Sequence, residues 1–168
     1  MTIPIVSITG KSNTGKTTLI EKMIRELKLR GYRVATIKHT IHGFDVDREG
    51  KDSWRHKQAG AQITVIASPK RATVIEDMDV DLEIAELRDR YITGVDIVLS
   101  EGFKGNPFPK IEVFRPEIHP DPLCTKEDNL IAVVSEAQTD RGVPLFKPDD
   151  IQDLVDLVEN LYLKKSTL

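Results

Sequence analysis

The chain has 168 residues, of which 39% are hydrophobic and 30% charged, with a net charge of −3 and one cysteine. This composition predicts one soluble globular domain over residues 1–168, because no apolar run approaches the ~20 residues of a transmembrane helix and the start lacks the features of a signal peptide. The charge provides no cationic field for a nucleic-acid backbone, and a lone Cys124 fits the reducing cytoplasm, so we predict a cytoplasmic protein with no nucleic-acid or membrane partner.

Short apolar runs alternate with helical periods along the chain, which is the pattern of a parallel sheet covered by helices. The predicted strands are residues 3–9, 33–38, 95–99, 110–114 and 130–134. The predicted helices are residues 19–27, ended by Gly31; 52 to near 60, capped by Asp52; 82–91; and 151–161, capped by Asp149 or Asp150. Residues 63–67 and 72–75 predict a hairpin attached at one side of the main sheet.

The loop after the first predicted strand carries a phosphate-binding motif. Residues 10–17 read GKSNTGKT, which matches G-x-x-x-x-G-K-[ST] in full between an apolar strand and an amphipathic helix. Glycines let the backbone N–H groups turn inward around phosphates, and the helix N-terminus adds a partial positive charge. We predict that the loop binds a nucleoside triphosphate, with Lys16 on the outer phosphates and the Thr17 hydroxyl on Mg²⁺. The predicted nucleotide-binding residues are Gly10, Asn13, Thr14, Gly15, Lys16, Thr17 and Thr18.

The motif and the order of the elements together predict an α/β fold of the three-layer P-loop NTPase type, with a mainly parallel sheet, helices on both faces and an added hairpin. Ligands of such sheets bind outside the carboxyl ends of the strands, where acidic residues become candidates. Glu101 is placed like a Walker B acid, with Glu for the usual Asp, and is predicted to hold Mg²⁺ directly or through water. Asp45 and Asp47 follow the second strand and are candidates to orient water or a Mg²⁺-bound ligand against the terminal phosphate.

Two positions near this site have more than one interpretation. Lys11 lies where one branch of P-loop dimers sends a lysine into the partner's site, and a solvated loop lysine is an equal alternative. His39, His42 and Asp45 form a possible zinc site, but the loop contains no cysteine, and a second Mg²⁺ partner explains the acids more simply.

One segment resembles a guanine-reading motif but lies in the wrong place. Residues 125–128 read TKED, which is similar to [NT]-K-x-D. That motif normally follows a strand, whereas here it precedes the strand predicted at residue 130, so chance is the better explanation. The loop at residues 135–139 follows that strand and is the better candidate to contact the base.

Four segments together resemble the MobB family, the GTP-binding adaptor of molybdopterin guanine dinucleotide synthesis. They are residues 10–18; KHTIHGFDVD at 38–47; GKDS at 50–53 with AGA at 59–61; and EGFK at 101–104. They span roughly the first two thirds of the chain. The resemblance implies a P-loop GTPase-like fold, a homodimer, weak Mg²⁺-dependent GTP hydrolysis, and partnership with the MobA guanylyltransferase that attaches GMP to the molybdenum-bearing pterin.

The resemblance also implies roles for individual residues. Gly15, Lys16 and Thr17 would bind phosphates and Mg²⁺, and Glu101 would assist the metal. Asp45 and Asp47 would face the terminal end of the nucleotide, which makes them, with Lys16, the catalytic candidates. Lys104 is a candidate to accept an anionic group such as the phosphate of the pterin.

Three functions are compatible with this site: an adaptor, a small-molecule kinase using ATP or GTP, and a plain hydrolase. A kinase should close a substantial lid over its substrate. The unassigned segments 39–51 and 115–129 are short and contain no arginine cluster of the lid type. No arginine finger is identifiable in the chain either, and this favours an adaptor or a slow GTPase.

Overall fold

The computed structural model describes residues 2–40, 42–103 and 105–164. The chain divides into two compact units, a large one made of Met1–His39 with Ile84–Leu168 and a small one made of Thr40–Glu83. The single domain expected from the length stays a prediction. No helix of the described ranges is both long and apolar enough to cross a membrane.

Six parallel strands form the sheet of the large unit, in the order β2-β5-β1-β6-β7-β8. They are β1 (Ile5–Thr9), β2 (Val34–Lys38), β5 (Ile97–Glu101), β6 (Lys110–Val113), β7 (Leu130–Val134) and β8 (Leu145–Phe146). The helices of this unit are α1 (Lys16–Leu29), α3 (Ile84–Tyr91) and α4 (Ile151–Val158). A 3₁₀ turn at Lys126–Asp128 precedes β7, and a π-helical turn at Glu159–Leu163 follows α4.

Apolar side chains of β1 point to both faces of the sheet, because successive residues of a strand face opposite sides. Val6 and Ile8 pack in one buried cluster with residues of α1 and α4. Ile5 packs in another with Val98 and with Ile84 of α3. Helices therefore cover both faces, and the predicted three-layer α/β fold is confirmed.

The residues predicted to end or cap the helices are confirmed only in part. Gly31 follows α1 with a φ of +89°, as expected of a helix terminator. Asp52 was wrongly predicted as a cap, since it is the first residue of the short helix α2 (Asp52–Gln58) and Lys51 occupies the cap position. Its carboxylate lies in the first turn, where the helix dipole favours a negative charge. Asp150 holds the cap position of α4, but its carboxylate accepts a hydrogen bond from the Lys147 N–H at 2.9 Å.

The predicted hairpin is confirmed in the small unit as β3 (Ile63–Ser68) and β4 (Arg71–Glu76), which pair antiparallel. The two strands form a two-stranded sheet of their own and do not extend the main sheet, so the predicted attachment at its side stays a prediction. The turn is closed by Ser68, whose hydroxyl bonds the N–H and carbonyl of Arg71 at 3.1 and 3.2 Å. Apolar side chains of both strands are exposed, including Ile63, Val65 and Val74.

Candidate nucleotide-binding site

The loop between β1 and α1 forms a tight cradle at the carboxyl end of the central strand. Gly10 has a φ of +143°, and a Cβ there would lie 2.5 Å from the Val113 carbonyl oxygen and 2.8 Å from Thr14 Oγ1. The Thr14 hydroxyl, almost fully buried, donates to the Lys11 carbonyl at 2.9 Å. The close approach of β6 therefore requires glycine at the start of the cradle.

The Lys16 ammonium lies folded against this loop. Its Nζ donates to the Lys11 carbonyl at 2.8 Å and lies 4.0 Å from Glu101 Oε1. Both side chains are largely covered, at 15% exposure each. The ammonium is thus held at the helix N-terminus, where backbone N–H groups and the dipole favour an anion.

A hydroxyl and a carboxylate meet beside the cradle. β5 is the neighbour of β1, and their register places Glu101 opposite Ile8. The Thr17 hydroxyl donates to Glu101 Oε2 at 3.4 Å, so two oxygen atoms of the kind Mg²⁺ prefers lie within one ion's reach. The donor set fits Mg²⁺, with nucleotide phosphates and water supplying the remaining ligands.

The zinc alternative gains no support from the structure. Within the described ranges, no group of three or more His, Cys, Asp or Glu side chains is placed to hold a metal ion. His39 stacks its ring on Phe103 with the centroids 4.5 Å apart. Its backbone N–H donates to the Glu101 carbonyl at 2.9 Å, which joins the end of β2 to the end of β5.

The catalytic candidates Asp45 and Asp47 belong to the small unit, so their predicted position at the terminal phosphate stays a prediction. Asp47 Oδ1 accepts a hydrogen bond from the Arg48 N–H at 2.8 Å. Its Oδ2 is buried and has no partner among the described residues. Lys104, the candidate for an anionic group, lies outside the described residues.

Two hollows adjoin the cradle. The smaller one, about 160 Å³, is bounded by Thr14 and Thr18 and by Arg115, Ser135 and Glu136 at the ends of β6 and β7, and we call it the β7 concavity. The larger one, about 510 Å³, includes Gly10, Lys16, Ser100 and the segment after β5, and we call it the β5 cavity. They share no lining residue. The cradle thus adjoins a separate space on each side.

The TKED segment has a structural role that explains its composition. Lys126–Asp128 forms the 3₁₀ turn, and the Asp128 carboxylate accepts hydrogen bonds from the Thr125 N–H at 2.7 Å and the Thr125 hydroxyl at 2.9 Å. These bonds hold the pKa of Asp128 below its usual value. A carboxylate committed to capping its own turn supports chance as the source of the resemblance to a guanine-reading motif.

Two charged residues of β6 are buried, which the sequence analysis did not predict. Lys110 is 6% exposed, and its Nζ donates to the carbonyls of Asp128 at 2.8 Å, Phe108 at 3.3 Å and Asn106. Glu112 is 1% exposed and accepts from the N–H groups of Leu123 at 2.7 Å and Cys124 at 3.1 Å. The alternation of β6 predicts a polar face but not that loops bury it.

Comparison with known proteins gives one consistent result. The family model described as molybdopterin guanine dinucleotide synthesis protein B matches residues 5–136. The molybdopterin-guanine dinucleotide biosynthesis adapter protein of Haemophilus influenzae is 40% identical over 161 residues, covering 94% of this chain and 89% of that protein. The Escherichia coli adapter protein is 37% identical, with 93% and 91% covered. A crystal structure of Bacillus subtilis MobB has a TM-score of 0.74 at 30% identity, covering 97% of this chain and 100% of that one.

Proposed function

Because this chain belongs to the MobB family, which serves molybdopterin guanine dinucleotide synthesis, we propose that it is a Mg²⁺-dependent GTP-binding adaptor for that synthesis. Its partner would be a MobA-like guanylyltransferase in the cytoplasm, which attaches GMP to the pterin. The nucleotide would then shape a surface for the partner enzyme, and its hydrolysis by the isolated chain would be weak.

The cradle is the observation that carries the proposal. Lys16 lies at a helix N-terminus beside the Thr17–Glu101 oxygen pair, which supports phosphate binding with Mg²⁺ on those two oxygens. Bound Mg²⁺ would neutralise phosphate charge there. Lys16 and the N–H groups of the cradle would orient the phosphates.

We place the nucleoside in the β7 concavity. Thr18 and Thr14 line it beside the cradle, and Ser135 and Glu136 line it from the end of β7. Guanine presents N–H donors at an edge where adenine presents an acceptor, and the exposed Glu136 carboxylate is an acceptor group at this position. These contacts support the proposed preference for GTP over ATP.

The adaptor proposal predicts slow hydrolysis by the isolated chain. No arginine among the described residues lines the β5 cavity, which adjoins Lys16, and lack of an arginine finger costs about 10³ to 10⁵ in rate. Phosphate release from GTP should therefore stay far below about one per second. Lys16→Ala protein gives the background rate, and fast turnover of the wild-type chain without any partner would contradict an adaptor role.

We also propose that the chain forms a homodimer through the hairpin. An isolated two-stranded sheet is marginally stable in water, and Val65 and Val74 on β3 and β4 are 60% and 52% exposed. Covering these strand faces with a second copy would bury apolar surface.

Sedimentation of Val65→Glu tests the proposed dimer. A charge on a strand of the interface should convert dimer to monomer, because the carboxylate would be buried without a partner. Val80→Glu is the matched control, since Val80 is 66% exposed and lies outside β3 and β4. A wild-type chain that sediments as a monomer, or a Val65→Glu dimer, would argue against this interface.

A further inference from the structure

The β5 cavity arises from an unusual connection in the sheet. β5 and β6 flank β1 on opposite sides, and residues 102–109 join them without a helix or strand in their described part. A parallel crossover normally contains a helix that covers the sheet. Here a loop crosses the face of β1 and leaves a cavity of about 510 Å³, within the size range of small-ligand sites.

The cavity runs along β1 from the cradle to the start of β6. Gly10 and Lys16 line it at the carboxyl end of β1, and Ser7 lines it three residues earlier. Register pairs Ser7 with Lys110, which in turn pairs with Leu130, so the 3₁₀ turn before β7 bounds the far end. At about 3.3 Å per strand residue this length suits a bicyclic ring.

The floor of the cavity contains buried hydroxyl groups in place of apolar side chains. Ser7 and Ser100 are 4% and 1% exposed, and their hydroxyl oxygens lie 2.8 Å apart. Ser7 donates to Asn106 Oδ1 at 3.2 Å, so its single proton is used and Ser100 must donate to Ser7. Ser100 Oγ therefore keeps lone pairs that can accept N–H groups from a ligand.

The walls combine apolar side chains such as Phe103 and Leu123 with polar ones such as Asn106, and the buried charges of β6 hold the wall loops in place. Lys110 binds carbonyls of the crossover loop and of the turn before β7, while Glu112 binds the N–H groups of Leu123 and Cys124. Burying a charge is costly unless it is fully bonded. These bonds fix the loops that line the cavity, and Lys110 is itself one of the lining residues.

We propose that the β5 cavity binds the ring of a pterin, a flat heterocycle whose amino and amide N–H groups donate to Ser100 while its faces lie between Phe103 and Leu123. The inference rests on the proposed function, which supplies a pterin as the second component. The ring would lie beside Lys16 and the terminal phosphate, apart from the nucleoside in the β7 concavity. Pterin and GTP would then bind without competing for one space.

The experiment is a fluorescence titration of the full chain with neopterin, a fluorescent pterin, with and without Mg²⁺-GTP. Leu123→Trp should weaken pterin binding by about tenfold or more, because the larger side chain enters the cavity. Leu161→Trp is the matched control, since Leu161 is 52% exposed and does not line the cavity. Ser100→Ala should weaken binding by about tenfold through the lost acceptor.

The single cysteine gives a second readout. Cys124 lines the cavity, and burial raises the pKa of its thiol, so alkylation by iodoacetamide should be slow and slower still with neopterin present. Neopterin that fails to bind, or that binds Leu123→Trp as tightly as the wild type, would overturn the proposal. GTP titration of the same samples tests the proposed function separately, because neither Leu123 nor Ser100 lines the β7 concavity.

Discussion

Replacing Lys16 with alanine is expected to remove nucleotide binding and leave the chain folded. Among the described residues its ammonium bonds the Lys11 carbonyl and lies 4.0 Å from Glu101, so the substitution removes few of these contacts. Hydrogen bonds to charged groups contribute about 1.5–3 kcal/mol each, so losing the phosphate contacts should lower affinity by about 100-fold or more.

Isothermal titration calorimetry with Mg²⁺-GTP and thermal unfolding of the same samples measure both effects. Lys28→Ala is the matched control, because Lys28 is an exposed lysine of the same helix and makes the same change in charge. Affinity retained by Lys16→Ala would show that phosphates bind elsewhere. A large loss of Mg²⁺-GTP affinity in Lys28→Ala would show that net charge, rather than the position of the lysine, decides binding.

Gly102→Ala is expected to destabilise the fold at the point where β5 meets the site. The φ of Gly102 is +96°, and a Cβ would lie 2.3 Å from the His39 carbonyl oxygen and 3.2 Å from its carbonyl carbon. The left-handed backbone costs about 1–2 kcal/mol and the overpacking about 1–3 kcal/mol more. We expect the free energy of unfolding to fall by about 2–5 kcal/mol.

Gly31→Ala separates the cost of the left-handed backbone from the cost of the overpacking against His39. Gly31 has a similar φ of +89°, but a Cβ there would meet no atom within 4 Å. Its free energy of unfolding should fall by the backbone cost alone, about 1–2 kcal/mol. Urea denaturation of both variants measures the difference, and equal losses would mean that the contact with His39 is relieved at little cost.

The large unit could be predicted mainly where local sequence determines structure. The motif at residues 10–17 specified a strand, a turn and a helix start, and the structure places Lys16, Thr17 and Glu101 together as expected. Parallel neighbours bring their carboxyl ends to one edge of a sheet, so Glu101 at the end of β5 could be assigned to the site before the strand order was known.

Strand β8, the burial of two charges in β6 and the separate hairpin sheet depend on tertiary contacts, which a local sequence pattern does not predict. β8 has only two residues, which is too short for a hydrophobic period. Lys110 and Glu112 alternate with apolar residues in β6, and they are buried by loops whose position the sequence of the strand does not show. The hairpin pattern predicted that β3 pairs with β4, but it does not indicate whether the pair extends the main sheet or forms a sheet of its own.

The two hollows suggest how an adaptor could bind a nucleotide in the β7 concavity and a pterin in the β5 cavity at the same time. Lys16 belongs both to the cradle and to the wall of the β5 cavity, whereas Thr18 and Glu136 face the other hollow. A nucleotide and a pterin would meet near the terminal phosphate without sharing a pocket. In the proposed function, this arrangement would present both to the partner enzyme.

The most direct test of the central claim is calorimetric titration of the purified wild-type chain with GTP and with ATP, each with Mg²⁺. We predict tighter binding of GTP, with the preference reduced when Glu136 in the β7 concavity is changed to alanine, because the carboxylate can accept the N–H donors of guanine. A preference for ATP would contradict the guanine-nucleotide adaptor and favour a small-molecule kinase instead.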